Sequence, residues 1–431
     1  MKIYIAVVGL GYAGLPLAIE FGKKFNTFGY DINSKRILEL KKGIDRNLQS
    51  TKKEINKSTK LQFTMNISDI KKCNFYIISI PTPITKNKKP DFKLLKSVSR
   101  AIGKIINNGD FIVYESTVYP GATKEICIPI LEKYSNLQCV FSDAKNNSNN
   151  SGFFVGYSPE RINPGDKKHT LKKIIKITSG SNKYSSNFIN KIYSKIIDAG
   201  TYNVQSIEVA EAAKVIENIQ RDVNIALINE LSMIFKKLNI KTTDVLKAAS
   251  TKWNFLNFAP GLVGGHCIGI DPYYLIKKAY DIGHTPKIIS AGRKINDEMT
   301  KFIFKNFISL MIAKKIEIKE SKVLIMGLTF KENCPDYRNS KVIDLINFMI
   351  KKEINVHVYD PFIPSIKGIF KNKVKVISNL KEKNYDGVII SVAHDQFRKI
   401  GIEKIKKITK NISVIYDLKS IFVSKQVDDS L

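Results

Sequence analysis

The segment IYIAVVGLGYAGLPLAIEFGKKF, residues 3–25, decides the fold of the N-terminal part of this chain. Residues 3–8 are apolar and β-branched, which predicts a buried parallel strand. Three glycines in G-x-G-x-x-G spacing follow, and then a helical pattern. The first glycine permits a tight turn, the second lets a pyrophosphate approach, and the third lets the helix pack on the strand. We therefore predict a strand, a phosphate-binding turn and a helix whose N-terminus faces the phosphates.

A second strand, TFGYD, completes a dinucleotide-binding fingerprint because it ends at Asp31. The Asp31 carboxylate would accept hydrogen bonds from the ribose hydroxyls and repel a 2′-phosphate. We therefore expect NAD as the cofactor, rather than NADP. Arg36 lies five residues further along and could reach the adenosine end of the cofactor. The alternative is that Arg36 is an ordinary surface charge.

Further predicted strands each run into a polar or proline-rich turn. They cover 74–80, 110–116 and 152–158, and the turns after them cover 81–83, 117–123 and 159–166. Because ligands of open parallel sheets bind beyond the carboxyl ends of the strands, these turns should line the same crevice as the glycine turn. The polar, low-complexity stretch SDAKNNSNNSG (142–152) predicts a mobile loop.

Residues 206–238 predict one or two long helices that carry Lys214, Asn218 and Arg221 at i, i+4 and i+7, so these side chains share a face. Polar groups on an alanine- and isoleucine-rich helix need partners, and a row that faces the substrate would supply them. The alternative is a solvated stripe with a Glu217–Arg221 ion pair. Another helical segment, 286–315, comes next.

A second series of strands, at 322–328, 355–360, 386–391 and 412–417, predicts a second doubly wound unit. Its first turn, GLTFKEN, lacks the three-glycine fingerprint and should bind something other than a dinucleotide. The expected fold class is α/β, with two doubly wound Rossmann-like domains joined by a central helical domain. The expected boundaries are 1–203, 204–302 and 303–431.

Cys267 comes after a glycine-rich turn in GLVGGHCIGIDPYYL (261–275), and Asp271 comes four residues later. A thiol placed there could act as a nucleophile and the carboxylate as a base. The alternative is a buried, inert cysteine. The chain has five cysteines, which are widely spaced and form no CxxC pair or Cys/His cluster. We therefore expect no metal site and a reducing, cytoplasmic compartment.

The formal net charge of +31 raises the possibility of an anionic partner. Lysines are spread along the whole chain, which favours a solvated lysine bias over a nucleic-acid site. We expect no nucleic-acid partner. No apolar run reaches the ~18 residues of a membrane span, and we expect no membrane association. The apolar N-terminus superficially resembles a signal peptide, but its spaced glycines indicate the dinucleotide turn instead.

Four long motifs resemble the UDP-glucose/GDP-mannose dehydrogenase family across nearly the full chain. Its UDP-N-acetylhexosamine 6-dehydrogenase branch is the most similar. The motifs are YSPERINPGD (157–166), AEAAKVIENIQRDVNIALINE (210–230), PGLVGGHCIGIDPYYL (260–275) and GLTFKENCPDYRNSK (327–341). The resemblance implies an NAD-binding domain, a central helical dimerisation domain and a UDP-sugar-binding domain. It also implies a homodimer that oxidises a sugar primary alcohol to a carboxylate for surface polysaccharide precursors.

The resemblance also implies a role for each matching residue. Cys267 would attack the aldehyde to give a thiohemiacetal, and its oxidation would leave a thioester that water hydrolyses. Lys214 and Asn218 would stabilise oxyanions, and Lys214 could also shuttle a proton. Asp271 would act as a base or hold the water network. Glu160 and Thr117 would position or activate water. The implied cofactor-binding residues are Gly9, Gly11, Tyr12, Ala13, Gly14, Asp31, Arg36, Pro81, Thr82, Ser116, Thr117 and Arg338. The implied substrate-binding residues are Arg161, Ile162, Lys214, Asn218, Arg221, Lys252, Trp253, Gly261, Phe330, Lys331 and Lys419.

Several alternatives stay open from the sequence. Pro164 stands where the UDP-glucose branch has a glutamate, which argues against UDP-glucose. The resemblance favours a gluco or galacto N-acetylhexosamine over the manno one, and the sequence does not determine which. UDP-N-acetylmannosamine and UDP-glucose are alternative substrates. A two-electron dehydrogenase of the hydroxyacid type would need neither Cys267 nor a second α/β half. A non-catalytic or nucleic-acid-binding basic protein is a distant alternative.

Overall fold

The computed structural model describes residues 2–85, 87–142, 152–163, 166, 168–363, 365, 369–370, 373–381 and 384–431. Most of the predicted mobile loop, residues 143–151, and also Pro164, lie outside the described residues. The chain divides into two compact units, Met1–Glu217 with Tyr273–Thr285, and Asn218–Pro272 with Pro286–Leu431. Among the described residues, no helix has the length and apolar character to cross a membrane.

The first unit contains a parallel sheet with helices between its strands. Its strands are β1 (Tyr4–Val8), β2 (Asn26–Tyr30), β3 (Leu61–Thr64), β4 (Phe75–Ile78), β5 (Phe111–Tyr114), β6 (Gln138–Cys139) and β7 (Gly152–Tyr157), with β8 (Lys176–Thr178) and β9 (Thr201–Asn203) as a separate pair. Its helices are α1 (Gly14–Gly22), α2 (Ser34–Lys41), α3 (Lys52–Asn56), α4 (Lys93–Gly103), α5 (Ile128–Ser135) and α6 (Lys183–Ser194). Over the described residues, the strand order is β3-β2-β1-β4-β5-β7-β6.

The register of this sheet places the ends of its strands at one edge. Val8 at the end of β1 pairs with Tyr30 of β2 and with Ile78 of β4. Ile78 in turn pairs with Tyr114 of β5. The glycine turn, Asp31 and the turns after β4 and β5 therefore leave the sheet side by side, where a doubly wound sheet binds its ligand.

Two helices pass from one unit into the other, α7 (Ile207–Lys237) and α9 (Asp271–Asp281). The second unit adds α8 (Thr242–Ala249), α10 (Lys287–Ala313), α11 (Lys341–Ile350), α12 (Asp395–Ile400) and α13 (Ile402–Lys406). Its strands are β10 (Lys322–Met326), β11 (Asn355–Tyr359), β12 (Val374–Val376), β13 (Tyr385–Ile390), β14 (Thr409–Asp417) and β15 (Asp429–Ser430). The described strands form a second parallel sheet in the order β12-β11-β10-β13-β14-β15. The predicted fold class, two doubly wound α/β parts with a helical middle, is confirmed.

The first turn of the second sheet repeats the backbone geometry of the glycine turn. Gly9 has φ +92°, and its N–H donates to the Tyr30 carbonyl at 2.8 Å. Gly327 has φ +96°, and its N–H donates to the Tyr359 carbonyl at 2.9 Å. In both turns, a backbone with positive φ leaves the first strand, a conformation that glycine adopts without steric cost.

The two turns differ in the side chains around them. Asp360 ends β11 as Asp31 ends β2, but Asp360 is buried and lies 3.3 Å from Nε2 of the buried His394. Thr329 and Glu332 stand where the first turn has its second and third glycines. The prediction that this turn holds something other than a dinucleotide is therefore consistent with its side chains.

The tight glycine turn gives a stability prediction. A Cβ built on Gly14 would lie 1.8 Å from the Gly9 carbonyl oxygen, whereas one built on Gly11 would meet nothing within 4 Å. Gly14→Ala should therefore destabilise the protein by about 2 kcal/mol or more through overpacking, while Gly11→Ala should leave its stability nearly unchanged. Thermal unfolding of both variants tests this expectation. Equal unfolding temperatures for the two variants would contradict the packing described.

Candidate active site

The glycine turn of the first unit fits a dinucleotide. The space in front of Gly11 is open, which is what the approach of a pyrophosphate requires. The half-buried Asp31 accepts hydrogen bonds from the Leu10 N–H at 2.9 Å and the Asn33 N–H at 2.9 Å. Each carboxylate oxygen can accept more than one hydrogen bond, so capacity remains for ribose hydroxyls. Tyr12 and Ala13 complete the turn between Gly11 and Gly14.

Arg36 is buried beside this turn, so its interpretation as a surface charge is wrong. Its Nε donates to the Leu10 carbonyl at 3.0 Å, and one terminal nitrogen donates to Asp45 at 2.7 Å. The other terminal nitrogen is buried and has no partner among the described residues. Buried donors rarely stay unsatisfied, and a ligand at the adenosine end would supply an acceptor.

The turns after β4 and β5 are tied together by hydroxyl groups. Thr82 Oγ1 donates to the Thr117 carbonyl at 2.6 Å, and Ser116 Oγ donates to the Ile80 carbonyl at 2.7 Å. Tyr274 Oη donates to the Thr82 carbonyl at 2.8 Å. The structure therefore brings together the predicted Thr82, Ser116 and Thr117, and Pro81 is exposed next to Thr82.

Glu211 of α7 holds the loop after β5, and sequence reasoning missed it. Its carboxylate accepts hydrogen bonds from the backbone N–H groups of Gly121 and Thr123, at 2.5 and 2.9 Å. Burial raises the pKa of Glu211 to about 7, although these hydrogen bonds oppose the rise. An acidic residue inside the apolar segment AEAAKVI could have signalled this anchor.

Glu160 comes shortly after β7 and faces cationic groups in the first unit. Its carboxylate accepts a hydrogen bond from the Ile162 N–H. Burial raises the pKa of Glu160, and the ammonium groups of Lys214 and Lys176 oppose that rise. Lys214, on α7, is itself buried. A carboxylate with a raised pKa beside ammonium groups is suited to accept a proton from water.

Arg161 has well-defined partners, and these revise one sequence interpretation. It donates to the Ile175 carbonyl at 2.9 Å and pairs with Glu217 at 2.7 Å. The alternative of a Glu217–Arg221 pair is therefore wrong, because Glu217 bonds to Arg161. Arg221 is exposed one turn further along α7.

Cys267 is half-exposed in the second unit, whereas the other cysteines are buried. Its carbonyl accepts hydrogen bonds from the Ile270 N–H at 2.9 Å and the Asp271 N–H at 2.8 Å, where α9 begins. Burial raises the pKa of the thiols of Cys73, Cys127 and Cys139 to about 12. Accessibility therefore distinguishes Cys267 from the inert cysteines of the chain.

Asp271 lies at the start of α9, four residues after Cys267. It is buried, and its Oδ2 accepts a hydrogen bond from Asn218 Nδ2 at 2.5 Å. The structure thus pairs the predicted base with one of the predicted oxyanion-stabilising groups. Asn218 also stands one helical turn beyond Lys214 on α7, so both side chains share a face of that helix.

A buried polar network holds the start of the cysteine loop. Asn229 of α7 accepts from the Gly261 N–H at 2.8 Å and donates to the Gly261 carbonyl at 3.0 Å. Asn229 also donates to Asn296 of α10 at 2.8 Å, and Asn296 donates to Asp222 at 2.7 Å. Arg293 donates to the same carboxylate at 2.5 Å. Sequence reasoning missed this network, although polar residues within an apolar helix were its signal.

A second set of contacts clamps the cysteine loop at His266. His266 Nε2 lies 3.0 Å from Asp336 Oδ2, and Arg338 binds the same carboxylate through two nitrogens, at 3.0 and 2.7 Å. Burial alone would raise the pKa of Asp336, but the hydrogen bonds from His266 and Arg338 hold it well below its usual value. Arg338, predicted to reach toward the cofactor, thus engages Asp336 of the second unit.

A pocket beyond β10 contains three predicted substrate-binding residues, Phe330, Lys331 and Lys419. The remaining residues that line it are Leu262, Gly264, Thr329, Glu332, Ser340, Lys341, Val342, Ser391 and Val392. A Cβ built on Gly261 would lie 3.4 Å from Lys419 Nζ, so Gly261 borders the same region. An aromatic ring with two lysines suits a base and its phosphates.

The other predicted substrate residues do not line this pocket, and among them Lys252 and Trp253 lie in the turn after α8. Lys252 is exposed, and Trp253 is 92% exposed in the turn after α8. Among the described residues, no cluster of three or more His, Cys, Asp or Glu side chains could hold a metal ion.

Comparison with known proteins gives one consistent family. Models of the UDP-glucose/GDP-mannose dehydrogenase family match residues 3–197 as the NAD binding domain, 208–298 as the central domain and 324–424 as the UDP binding domain. The matched residues cover most of the chain.

The chain is 51% identical to a UDP-N-acetyl-D-glucosamine 6-dehydrogenase of Salmonella typhi, over 99% of this chain and 98% of that protein. It is 49% identical to a protein of the same name from Pseudomonas aeruginosa, over 98% of each chain. The solved UDP-D-ManNAc dehydrogenase of Pyrococcus horikoshii superposes with a TM-score of 0.85 at 28% identity, covering 98% of this chain and 96% of that one. The chain therefore belongs to the UDP-glucose/GDP-mannose dehydrogenase family and is an NAD-dependent oxidoreductase of nucleotide sugars.

Proposed function

We propose that this enzyme oxidises the C6 primary alcohol of a UDP-N-acetylhexosamine to the carboxylate, for the synthesis of a surface polysaccharide precursor. The observation that carries this proposal is Cys267, a half-exposed thiol in a glycine loop next to the Asn218–Asp271 pair. A two-electron alcohol dehydrogenase would not need that thiol. The resemblance favours the gluco and galacto forms of the sugar over the manno form, and the two relatives of about half identity, both named UDP-N-acetyl-D-glucosamine 6-dehydrogenase, support the gluco form.

When bound, NAD accepts a hydride from the sugar carbon in each of the two oxidations. Asp271, whose orientation is held by Asn218, serves as the base or orders the water around the reacting alcohol. Lys214 and Asn218 stabilise negative charge on the sugar oxygen, because they follow one another on the same face of α7.

The thiolate of Cys267 attacks the aldehyde carbon, which forms a C–S bond and moves an electron pair to the oxygen. In the tetrahedral thiohemiacetal, the hydrogen on that carbon can leave as a hydride, so a second oxidation gives a thioester. Water then attacks the thioester, the C–S bond breaks, and the carboxylate and free thiol are released. Glu160 takes the proton of this water, and Thr117 helps to place it.

The UDP group is assigned to the pocket of Phe330, Lys331 and Lys419, with Gly261 at its border. Arg161, Ile162 and Arg221 are proposed to contact the sugar or its phosphates, as are Lys252 and Trp253. The proposed cofactor residues are the glycine turn, Asp31, Arg36, Pro81, Thr82, Ser116, Thr117 and Arg338.

Domain boundaries at 203/204 and 302/303 are proposed to separate the NAD-binding, central and UDP-binding domains.

We also propose that the enzyme is a cytoplasmic homodimer that forms through its central helices. Several large apolar side chains of α7 and the turn after it are exposed, including Leu227 at 52%, Ile234 at 46% and Leu238 at 59%. A contiguous exposed apolar face marks a protein interface. Free cysteines throughout the chain suit a reducing compartment.

The first prediction concerns stoichiometry. Each UDP-N-acetylhexosamine consumed should yield two NADH and one carboxylate, because a thioester lies between aldehyde and product. Cys267→Ala should abolish uronate formation. Cys267→Ser should accumulate an ester that carries the oxidised sugar, since an ester hydrolyses more slowly than a thioester. Absorbance at the NADH band, product mass and intact-protein mass measure these outcomes across a panel of UDP-sugars.

The control for Cys267 is Cys73→Ser, which changes a buried thiol of the first unit. It should keep the two-NADH stoichiometry. One NADH per sugar in the wild-type enzyme would refute the four-electron reaction. Uronate formation at the wild-type rate in Cys267→Ala would make the cysteine structural.

The second prediction concerns the cofactor. NAD should be preferred over NADP in kcat/KM by about tenfold or more, because the 2′-phosphate would face the Asp31 carboxylate. Asp31→Asn should narrow this preference by improving the use of NADP. Initial rates with NAD and with NADP measure this preference. Equal kcat/KM values for the two cofactors in the wild-type enzyme would contradict the assignment of Asp31 to the ribose hydroxyls.

The third prediction concerns the UDP pocket. Lys331→Ala should raise the KM for the UDP-sugar by about tenfold or more and leave the KM for NAD nearly unchanged, because a charge-assisted hydrogen bond to phosphate is lost. Lys322→Ala is the matched control, since Lys322 begins β10, at the opposite end of the strand from this pocket. A larger change in the KM for NAD than for the UDP-sugar would reverse the assignment of the two halves.

A further inference from the structure

A buried ion pair lies at the carboxyl ends of β5 and β7, outside the residues assigned to the reaction. Lys176 Nζ donates to Glu115 Oε2 at 2.8 Å, and Tyr193 Oη donates to Glu115 Oε1 at 2.5 Å. The exposed fractions of Lys176, Glu115 and Tyr193 are 3%, 1% and 0%. The three side chains come from β8, from the end of β5 and from α6.

The same ammonium group joins two strand ends. Lys176 Nζ also donates to the Pro159 carbonyl at 2.9 Å, and Pro159 directly precedes Glu160. Glu115, its carboxylate partner, lies two residues before Thr117. The Lys176 ammonium group therefore binds the residue before Glu160 and a residue two positions before Thr117, the two residues that are proposed to handle the hydrolytic water.

Stability alone does not account for a buried pair of this kind. Desolvation of two charges is costly, and apolar replacements of buried ion pairs are often neutral or stabilising. The surroundings of the pair are apolar and aromatic. The Tyr193 ring packs edge-on against Phe21, with 5.5 Å between ring centroids, and its centroid lies 6.5 Å from that of Phe75. Charges kept in such a place act strongly on any neighbouring ionisable group, since the local dielectric constant is low.

We propose that Lys176 is a positioning residue for Glu160: its ammonium group fixes the peptide in front of this carboxylate, while Glu115 and Tyr193 hold Lys176 in place. This role rests on the proposed function of Glu160 in thioester hydrolysis. Among the described residues, the charged groups that act on Glu160 include Lys214 from α7, Lys176 from β8 and Glu115 from the end of β5. Arg161, its neighbour in sequence, is directed to Glu217 and to the Ile175 carbonyl.

Lys176 and Glu115 carry opposite charges, so removing one charge or the other should shift the pKa of Glu160 in opposite directions. Loss of the Lys176 charge makes the ionised carboxylate of Glu160 less favourable and raises its pKa. Loss of the Glu115 charge removes a repulsion and lowers the pKa of Glu160. A base must be ionised to accept a proton, so the acidic limb of the hydrolysis profile moves to higher pH in the first case and to lower pH in the second.

The test is a titration of Glu160 in the full-length protein, by nuclear magnetic resonance of ¹³C-labelled glutamate carboxyls. Glu160→Gln identifies the signal. Glu115→Gln, which keeps the size and hydrogen-bonding atoms of the side chain, should lower the pKa of Glu160. Lys176→Met should raise it by on the order of one unit. The pH profile of uronate formation should move in the same directions.

Lys176→Met leaves the Glu115 carboxylate buried without its cation, so a double variant, Lys176→Met with Glu115→Gln, is measured as well. This double variant carries no charge at position 176 or 115, and its shift in the pKa of Glu160 should lie between those of the single variants. Asp110→Asn is the matched control, because Asp110 is a buried carboxylate at the other end of β5, about 16 Å from Glu115. It should leave the titration of Glu160 unchanged.

Opposite shifts for Glu115→Gln and Lys176→Met support the positioning role. Shifts in the same direction, or no shift in folded variants, overturn it. The titration needs no substrate, so a normal two-NADH stoichiometry with an unmoved titration would reject only the role of Lys176. Opposite shifts in an enzyme that makes one NADH per sugar would reject only the proposed reaction.

Discussion

The polar side chains that α7 buries are the constraint on which the candidate site depends. A buried donor or acceptor without a partner is costly, so each must bind something that packs against the helix. Glu211 binds two backbone N–H groups of the loop after β5, and Asn229 binds both backbone groups of Gly261. One helix thus anchors, in each unit, the loop that carries reactive groups. Within the second unit, the hydrogen bond from Asn218 to Asp271 fixes a further polar side chain of this helix.

The two sheets illustrate how one backbone geometry serves different ligands. Each starts with a glycine turn of positive φ, and each places an aspartate at the end of its second strand. Asp31 stays half-buried and can take ribose hydroxyls, whereas Asp360 is enclosed with His394. The His394 Nδ1 accepts the Asn333 N–H at 3.0 Å and so helps to hold the loop that carries Phe330 and Lys331. Side chains around a common turn, rather than the turn itself, decide what binds.

Much of the architecture was predictable because it rests on local patterns. Apolar β-branched runs predicted the central strands of both sheets, and the spacing of glycines predicted the first turn, since a Cβ has no room at Gly9 or Gly14. Short edge strands such as β3 and β6 were not predicted, because their sequences are polar or brief and their pairing comes from neighbours in space. The predicted loop beyond residue 142 and the argument from Pro164 fall largely on residues that the structure does not describe.

The sequence by itself determined the fold class, the cofactor fingerprint and the identity of Cys267 as the cysteine to consider, because these depend on residue type and spacing. Tertiary structure alone decided which polar groups meet. Four pairs show this: Arg36 binds Asp45, Arg161 binds Glu217, His266 binds Asp336 and Lys176 binds Glu115. Such pairs are separated by up to tens of residues and carry no periodic signal. Their partners are set by the requirement that a buried charged group be paired or hydrogen-bonded where the packed chain places it.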